Sequence, residues 1–282
     1  MQQKKPQKSR VKPDVESAAN RRDSSPAVGF PNKIAQNMHP QAISGDFHYG
    51  HGHTGAQARI RPQDINVLIA CEESQAECQA FRVRGFNAYS CDIQPVRRGM
   101  NPSWHIHDDV TPLLAGETSF ITQVGEVKSV HSWHLIIAHP PCTYLCKVSS
   151  VHMVQHGELN QDRFRKMQDA AEFFRSCLNA KADFVAVENP IPMARAGLPR
   201  PNCFIQPSWF GVKYTKKTLY WLRGLPPLMP EIEYPNPREF VRASRGKYRS
   251  STFPQVAEAI ARQWGDFILN EMNNPIGIPS TL

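Results

Sequence analysis

Two short apolar runs end abruptly at reactive side chains, and this pattern constrains the chain more than any other. Leu135-Ile136-Ile137-Ala138 runs into His139-Pro140-Pro141-Cys142, and Phe184-Val185-Ala186-Val187 runs into Glu188-Asn189-Pro190. Runs this short, closed by proline turns, read as strands buried on both faces rather than as helices. Strands of that kind belong to parallel sheets with helices packed on each side, an α/β architecture. In open sheets of this class, ligands collect at the carboxyl ends of the strands, which is where Cys142 and Glu188 fall.

Other segments fit the same architecture. Asn66-Val67-Leu68-Ile69-Ala70 reads as a buried strand. A helix carrying Phe81 follows, opened by a capping box of Ser74 and Glu77 and stopped at Gly85. Asn87 to Cys91 is a second strand, ending at Asp92, so this stretch reads as strand, helix, strand. Residues 162–180 carry the clearest helical period, with Phe164, Met167, Ala171, Phe174 and Leu178 on one face. Lys217 to Leu222 reads as a further strand, and residues 226–250 as irregular. A last helix starts after Thr252, with Pro254 in its first turn and a second capping box of Thr252 and Gln255.

Composition bounds the rest. The 282 residues carry a formal net charge of +8, which suits a polyanionic partner. Seven cysteines, an odd number without the paired short spacings of a zinc ribbon or a secreted disulfide scaffold, read as free thiols in a reducing cytoplasm. No apolar run approaches the roughly 20 residues of a membrane span, and the basic N-terminus lacks the apolar core of a secretory signal. Residues 1–62 are basic and rich in Pro, Ser, Gln and Asn, with no sustained period; they read as a mostly disordered arm. Within the arm, Phe47-His48-Tyr49-Gly50-His51-Gly52-His53 reads as a Gly/His linker rather than a metal site. The folded domain is expected over 63–282. From Lys213 to Arg249, nine cations interleave with Tyr214, Tyr220, Trp221, Phe240 and Tyr248, a combination that suits phosphate contacts and base stacking.

The reactive residues can serve methylation of carbon 5 of cytosine. Carbon 5 of cytosine is too weak a nucleophile to attack a methyl donor unaided. A thiolate added at carbon 6 makes the ring enamine-like, which needs a cysteine held rigidly at the face of the base. A proton donor is also needed near ring nitrogen 3, where negative charge develops. Cys142, stiffened by two prolines, suits the first role and Glu188 the second. The base must leave the duplex stack to reach them. His139 stands where it can orient the loop or touch substrate, and Cys146 reads as a neighbour. Asp92, about 20 residues past the first strand-to-helix turn, suits the ribose hydroxyls of a nucleoside cofactor. Taken singly, each has a plainer reading: a buried thiol, a turn, a solvated acid.

From about Val67 to Trp264 the chain resembles the carbon-5 cytosine DNA methyltransferases, and most closely the short cytosine methyltransferase-like proteins carried by phages and prophages. The resemblance implies a Rossmann-like S-adenosylmethionine-dependent methyltransferase fold, a three-layer sandwich around a mainly parallel sheet. It makes Cys142 the nucleophile and Glu188 its acid partner. It puts S-adenosyl-L-methionine against Ala70, Glu72, Asp92, Ile93, Asp109 and Pro140, and substrate against His139, Asn189, Lys216 and Thr218. It also implies DNA as partner, a monomer, and the cytoplasm of a bacterial or phage-infected cell. The departures are specific. Ala70-Cys71-Glu72-Glu73-Ser74 has no glycine where the family has Phe-x-Gly-x-Gly, and Ala138-His139 stand where glycines usually precede Pro-Pro-Cys. Lys216 and Thr218 replace two arginines, and Ser251-Thr252-Phe253-Pro254 replaces Gly-Asn-Ala-Val-Pro. Only about 25 residues separate Leu225 from Ser251, too few for an independent target recognition domain. The alternatives are an amino-group DNA methyltransferase and a non-catalytic nucleic-acid-binding remnant of the fold.

Overall fold

A computed structural model describes residues 59–232, 241–242 and 251–274. The sheet strands are β1 (Asn66–Ala70), β2 (Asn87–Asp92), β3 (His105–His107), β4 (Leu135–Ala138), β5 (Phe184–Asn189), β6 (Cys203–Ile205) and β7 (Thr218–Arg223). Their order is β3-β2-β1-β4-β5-β7-β6. β3 through β5 pair in parallel, while β7 runs antiparallel to both β5 and β6. The chain builds outward from β1 to β3, then returns to β4 on the other side of β1. The carboxyl ends of β1 and β4 therefore form the topological switch point, where an open sheet leaves a crevice.

The helices are α1 (Ala76–Val83), α2 (Thr111–Leu114), α3 (Gln161–Leu178) and α4 (Pro254–Asn273). Alternation along the strands divides the core into two layers. Leu68, Ala70, Ile136, Ala138, Val185 and Val187 face Met167, Ala171 and Phe174 of α3. Val67, Ile69, Leu135, Ile137 and Ala186 face Phe81 of α1 and Val256, Ile260 and Trp264 of α4. Side chains on both faces are buried because helices cover both, which is why these strands are apolar throughout.

The helix starts differ from expectation. Asn160 caps α3 by accepting from the Arg163 N–H at 3.0 Å. The expected capping box of Ser74 and Glu77 is not formed. Glu72 instead accepts from the N–H groups of Glu77 (2.8 Å) and Cys78 (3.3 Å), and the Glu77 carboxylate turns into the sheet. Phe253, with no side-chain cap, precedes α4, and Thr252 donates to Glu77 at 3.1 Å rather than closing its own helix. In both cases a buried carboxylate offers a stronger partner than a local turn.

The folded part begins slightly before the expected boundary, since Ile60 exchanges backbone hydrogen bonds with the Asn273 side chain at 2.9 and 3.0 Å. The expected arm and its histidine stretch lie outside the described residues, as does most of 226–250 beyond Ile232. Val241–Arg242 pairs in parallel with Tyr214–Thr215. Among the described residues no helix is long and apolar enough to cross a membrane.

Candidate active site

The sheet register assembles the site. Cys91, Ala70, Ala138 and Val187 are direct partners across β2, β1, β4 and β5. The next residue on each strand, Asp92, Cys71, His139 and Glu188, therefore falls in one row along the carboxyl edge. Tyr220 of β7 pairs opposite Glu188 and extends it. Residues from Cys71 to Glu188, about 120 positions apart in sequence, become neighbours because four strands end in step.

The two reactive loops are stitched together. Asn189 is fully buried and its side-chain amide donates to the Pro140 carbonyl at 3.0 Å. Lys147 N–H donates to Ile191 at 2.8 Å, and Met193 N–H donates to Leu145 at 2.7 Å. The Cys142 carbonyl accepts from Leu145 and Cys146, closing a tight turn that leaves the thiol half-buried. Asn189 therefore holds the loop rather than facing outward as a substrate contact. Thr218 is likewise buried, with its hydroxyl donating to the Lys216 carbonyl at 3.2 Å.

Behind this rim lies a buried polar chain. His139 Nδ1 is 3.4 Å from Glu188 Oε2, and its Nε2 is 3.2 Å from Glu77 Oε2. Both ring nitrogens are thus committed to carboxylates, so His139 does not reach outward to substrate. Burial alone would lower the His139 pKa, but Glu77 and Glu188 hold it well above the ordinary value. Burial would raise Glu188, yet the His139 hydrogen bond and the Lys216 charge keep it below the usual carboxylate range. Glu188 is therefore ionised at rest, not the standing acid its role in the resemblance calls for. Burial lifts the Cys142 thiol, with Cys146 and Glu188 adding to the rise and Lys216 opposing it. Thiol, carboxylate and ammonium thus share one field.

Glu77 was missed by sequence reasoning, which spent it on a helix cap. The signal was its place on the apolar face of α1 beside Cys78 and Phe81. A fully buried acid there requires a polar partner within the fold.

The cofactor positions show a mixed fit. Cys71 follows β1 with φ +61°, a left-handed conformation that glycine adopts freely and other residues rarely do. The backbone thus keeps a glycine-type bend without a glycine. Asp92 stands at the adjoining strand end, its carboxylate accepting from Gln94 N–H at 2.8 Å and lifted by partial burial. Beside it Ile93 is 71% exposed, an apolar surface open to a flat ring. These features suit a nucleoside cofactor. Glu72 does not, because its buried carboxylate is spent on α1. Asp109 accepts from the Thr111 N–H and hydroxyl at 2.9 and 2.8 Å, so one of its oxygens is spent at the first residue of α2.

The basic, aromatic stretch also divides. Tyr220 and Trp221 are core residues. Arg223 donates to the carbonyls of Leu178, Ala180 and Ala182, closing the end of α3 instead of facing solvent. Lys217 lies 4.4 Å from the Phe204 ring centroid.

No family model matches the chain, and no curated protein matches it. Among solved structures it is similar to an E. coli protein provisionally described as a DNA modification methyltransferase encoded within a prophage. Identity is 15% over 56% of this chain and 46% of that one, with a TM-score of 0.31. The chain thus spans about half the length of that structure, and so loose a superposition leaves the fold to be read from the strand order itself.

Proposed function

We propose that the protein is a DNA methyltransferase acting on carbon 5 of cytosine through a covalent adduct with Cys142. The observation that carries this reading is a half-buried thiol at the end of β4 lying within the electrostatic reach of Glu188 at the end of β5. Cys142 adds to carbon 6 of an unstacked cytosine, and Glu188 passes a proton to ring nitrogen 3 as charge builds there. Lys216 favours the thiolate, and Asn189 keeps the two loops at fixed spacing. S-adenosylmethionine, when bound, supplies the methyl group; Asp92, Ile93 and the bend at Cys71 would hold it. The net charge of +8 supports DNA as the polyanion. An amino-group methyltransferase is disfavoured, because His139 occupies the position that would accept from the exocyclic amine and both its nitrogens are engaged.

The test is a duplex containing 5-fluorocytosine, incubated with the protein and cofactor. The wild type should form a denaturant-stable adduct and Cys142→Ala none. Turnover retained in Cys142→Ala would remove the covalent route.

A further inference from the structure

The Glu77–His139–Glu188 chain has a geometry that the methyl-transfer reading does not use. The imidazole bridges two carboxylates from different elements, Glu77 of α1 and Glu188 of β5. Glu77 is fully buried, and the side chains of His139 and Glu188 are only 15% and 16% exposed. The far end is anchored too, since Glu77 Oε1 accepts from Thr252 at the start of α4. An isolated buried acid is costly, and a line of three titratable groups with matched donors is how such groups persist.

We propose that His139, clamped by Glu77, is a positioning residue that stores the proton Glu188 hands to the substrate. This rests on the cytosine reading above. At rest the imidazolium faces the Glu188 carboxylate. As the Cys142 sulfur bonds to carbon 6, its lone pair becomes the new bond and the displaced ring electrons raise the basicity of nitrogen 3. The Nδ1–H bond of His139 breaks, Glu188 gains that proton and releases one to nitrogen 3, and the imidazole is left neutral. Once carbon 5 has taken its electrophile, its own proton leaves to solvent, the C5–H electrons re-form the ring double bond, the carbon–sulfur bond breaks to return the thiolate, and the proton on nitrogen 3 goes back through Glu188 to His139. The thiol proton leaves to solvent before attack, so charge balances over the cycle.

The groups facing the imidazole all bear on its charge. Glu72 lies behind Glu77, and burial with Glu77 alongside pushes its carboxyl up to about 7. Lys216 faces Glu188 from the loop before β7. Tyr220 of β7 pairs opposite Glu188, and its hydroxyl is held neutral by burial and by the charges of Glu77 and Glu188. Cys142 lies on the histidine's own loop. Glu77 holds the imidazolium from the ring nitrogen opposite Glu188, so its removal weakens that hold and leaves the His139–Glu188 contact in place.

Hydrogen exchange at cytosine carbon 5 in D2O reads thiol addition without any cofactor, because the enamine carbon takes a deuteron from solvent. The wild type should exchange in a DNA duplex, with an alkaline limb where His139 loses its proton. His139→Gln keeps a hydrogen-bonding side chain but stores no proton. It should slow exchange about 100-fold or more at pH 7.5, the typical size of a general-acid contribution, and lose that limb. Glu77→Gln should move the limb to lower pH. NMR titration of the His139 ring in the free wild-type protein should find an imidazolium at pH 7.5. A neutral ring there overturns the relay. So does wild-type exchange whose pH profile survives both substitutions. Absence of exchange in the wild type overturns the cytosine reading and takes the relay with it.

Discussion

At the scale of residues, the charge on Lys216 matters more than its contact list. Its ammonium opposes the rise that burial imposes on the Cys142 thiol and helps keep Glu188 ionised. Removing it should leave the thiol harder to deprotonate. In Lys216→Ala, the midpoint of Cys142 alkylation against pH, read by peptide mass spectrometry, should move upward. An unmoved midpoint would detach Lys216 from the site. Gln75 shows how a strained position is held. It has φ +54° without being glycine, and its buried amide makes bonds of 3.2 Å to Ser90, 2.9 Å to the Asn101 carbonyl and 2.9 Å from the Asn101 N–H. Gln75→Ala keeps the strain and strands the partners, so it should cost about 1–3 kcal/mol, measurable by urea unfolding.

Elements come next. α1 and α4 cover one face of the sheet, and their closeness depends on a missing side chain. A Cβ on Gly265 would come within 2.8 and 2.9 Å of the buried Phe86 ring. That ring is buried edge-on against Phe81 of α1, with centroids 5.4 Å apart. Gly265→Ala should therefore destabilise by about 1–3 kcal/mol despite alanine's better helix propensity. A neutral or stabilising result in thermal unfolding would mean that α4 can slide along its axis. The elements also account for which expectations held. The strand at Asn66–Ala70 was legible as a compact apolar run, and that at Asn87–Asp92 as a short segment between the helix stop at Gly85 and the acid at Asp92. The capping boxes were not, because local spacing says nothing of a carboxylate arriving from another element.

For the whole molecule, the buried acids set the response to pH. Glu72 has a carboxyl raised from the usual 4.5 to about 7 in the fold. Between those values the folded state holds a proton that the unfolded chain has released, so stability falls as pH rises through this window. Glu72→Gln, which cannot titrate, should flatten that decline when thermal unfolding is followed from acid to neutral pH. A decline that persists unchanged would assign it to other groups. DNA affinity belongs to this scale too. A chain with a net charge of +8 should bind DNA with an affinity that drops steeply with salt, and a flat dependence would argue against phosphate contacts.

The sequence alone determined strands β1, β2, β4, β5 and β7 and helices α1, α3 and α4, the burial of the central strands and the positions of Cys142 and Glu188 at strand ends, while β3, β6 and α2 were too short to read. Those features are local: apolar period, turn residues and run length specify them within a few residues of chain. Only the tertiary structure decided that Asp92, Cys71, His139 and Glu188 share one row, that Asn189 and Thr218 point inward, and that Glu77 and His139 join Glu188 in a buried charged chain. Strand register and desolvation arise between distant segments, and no short stretch of sequence carries them.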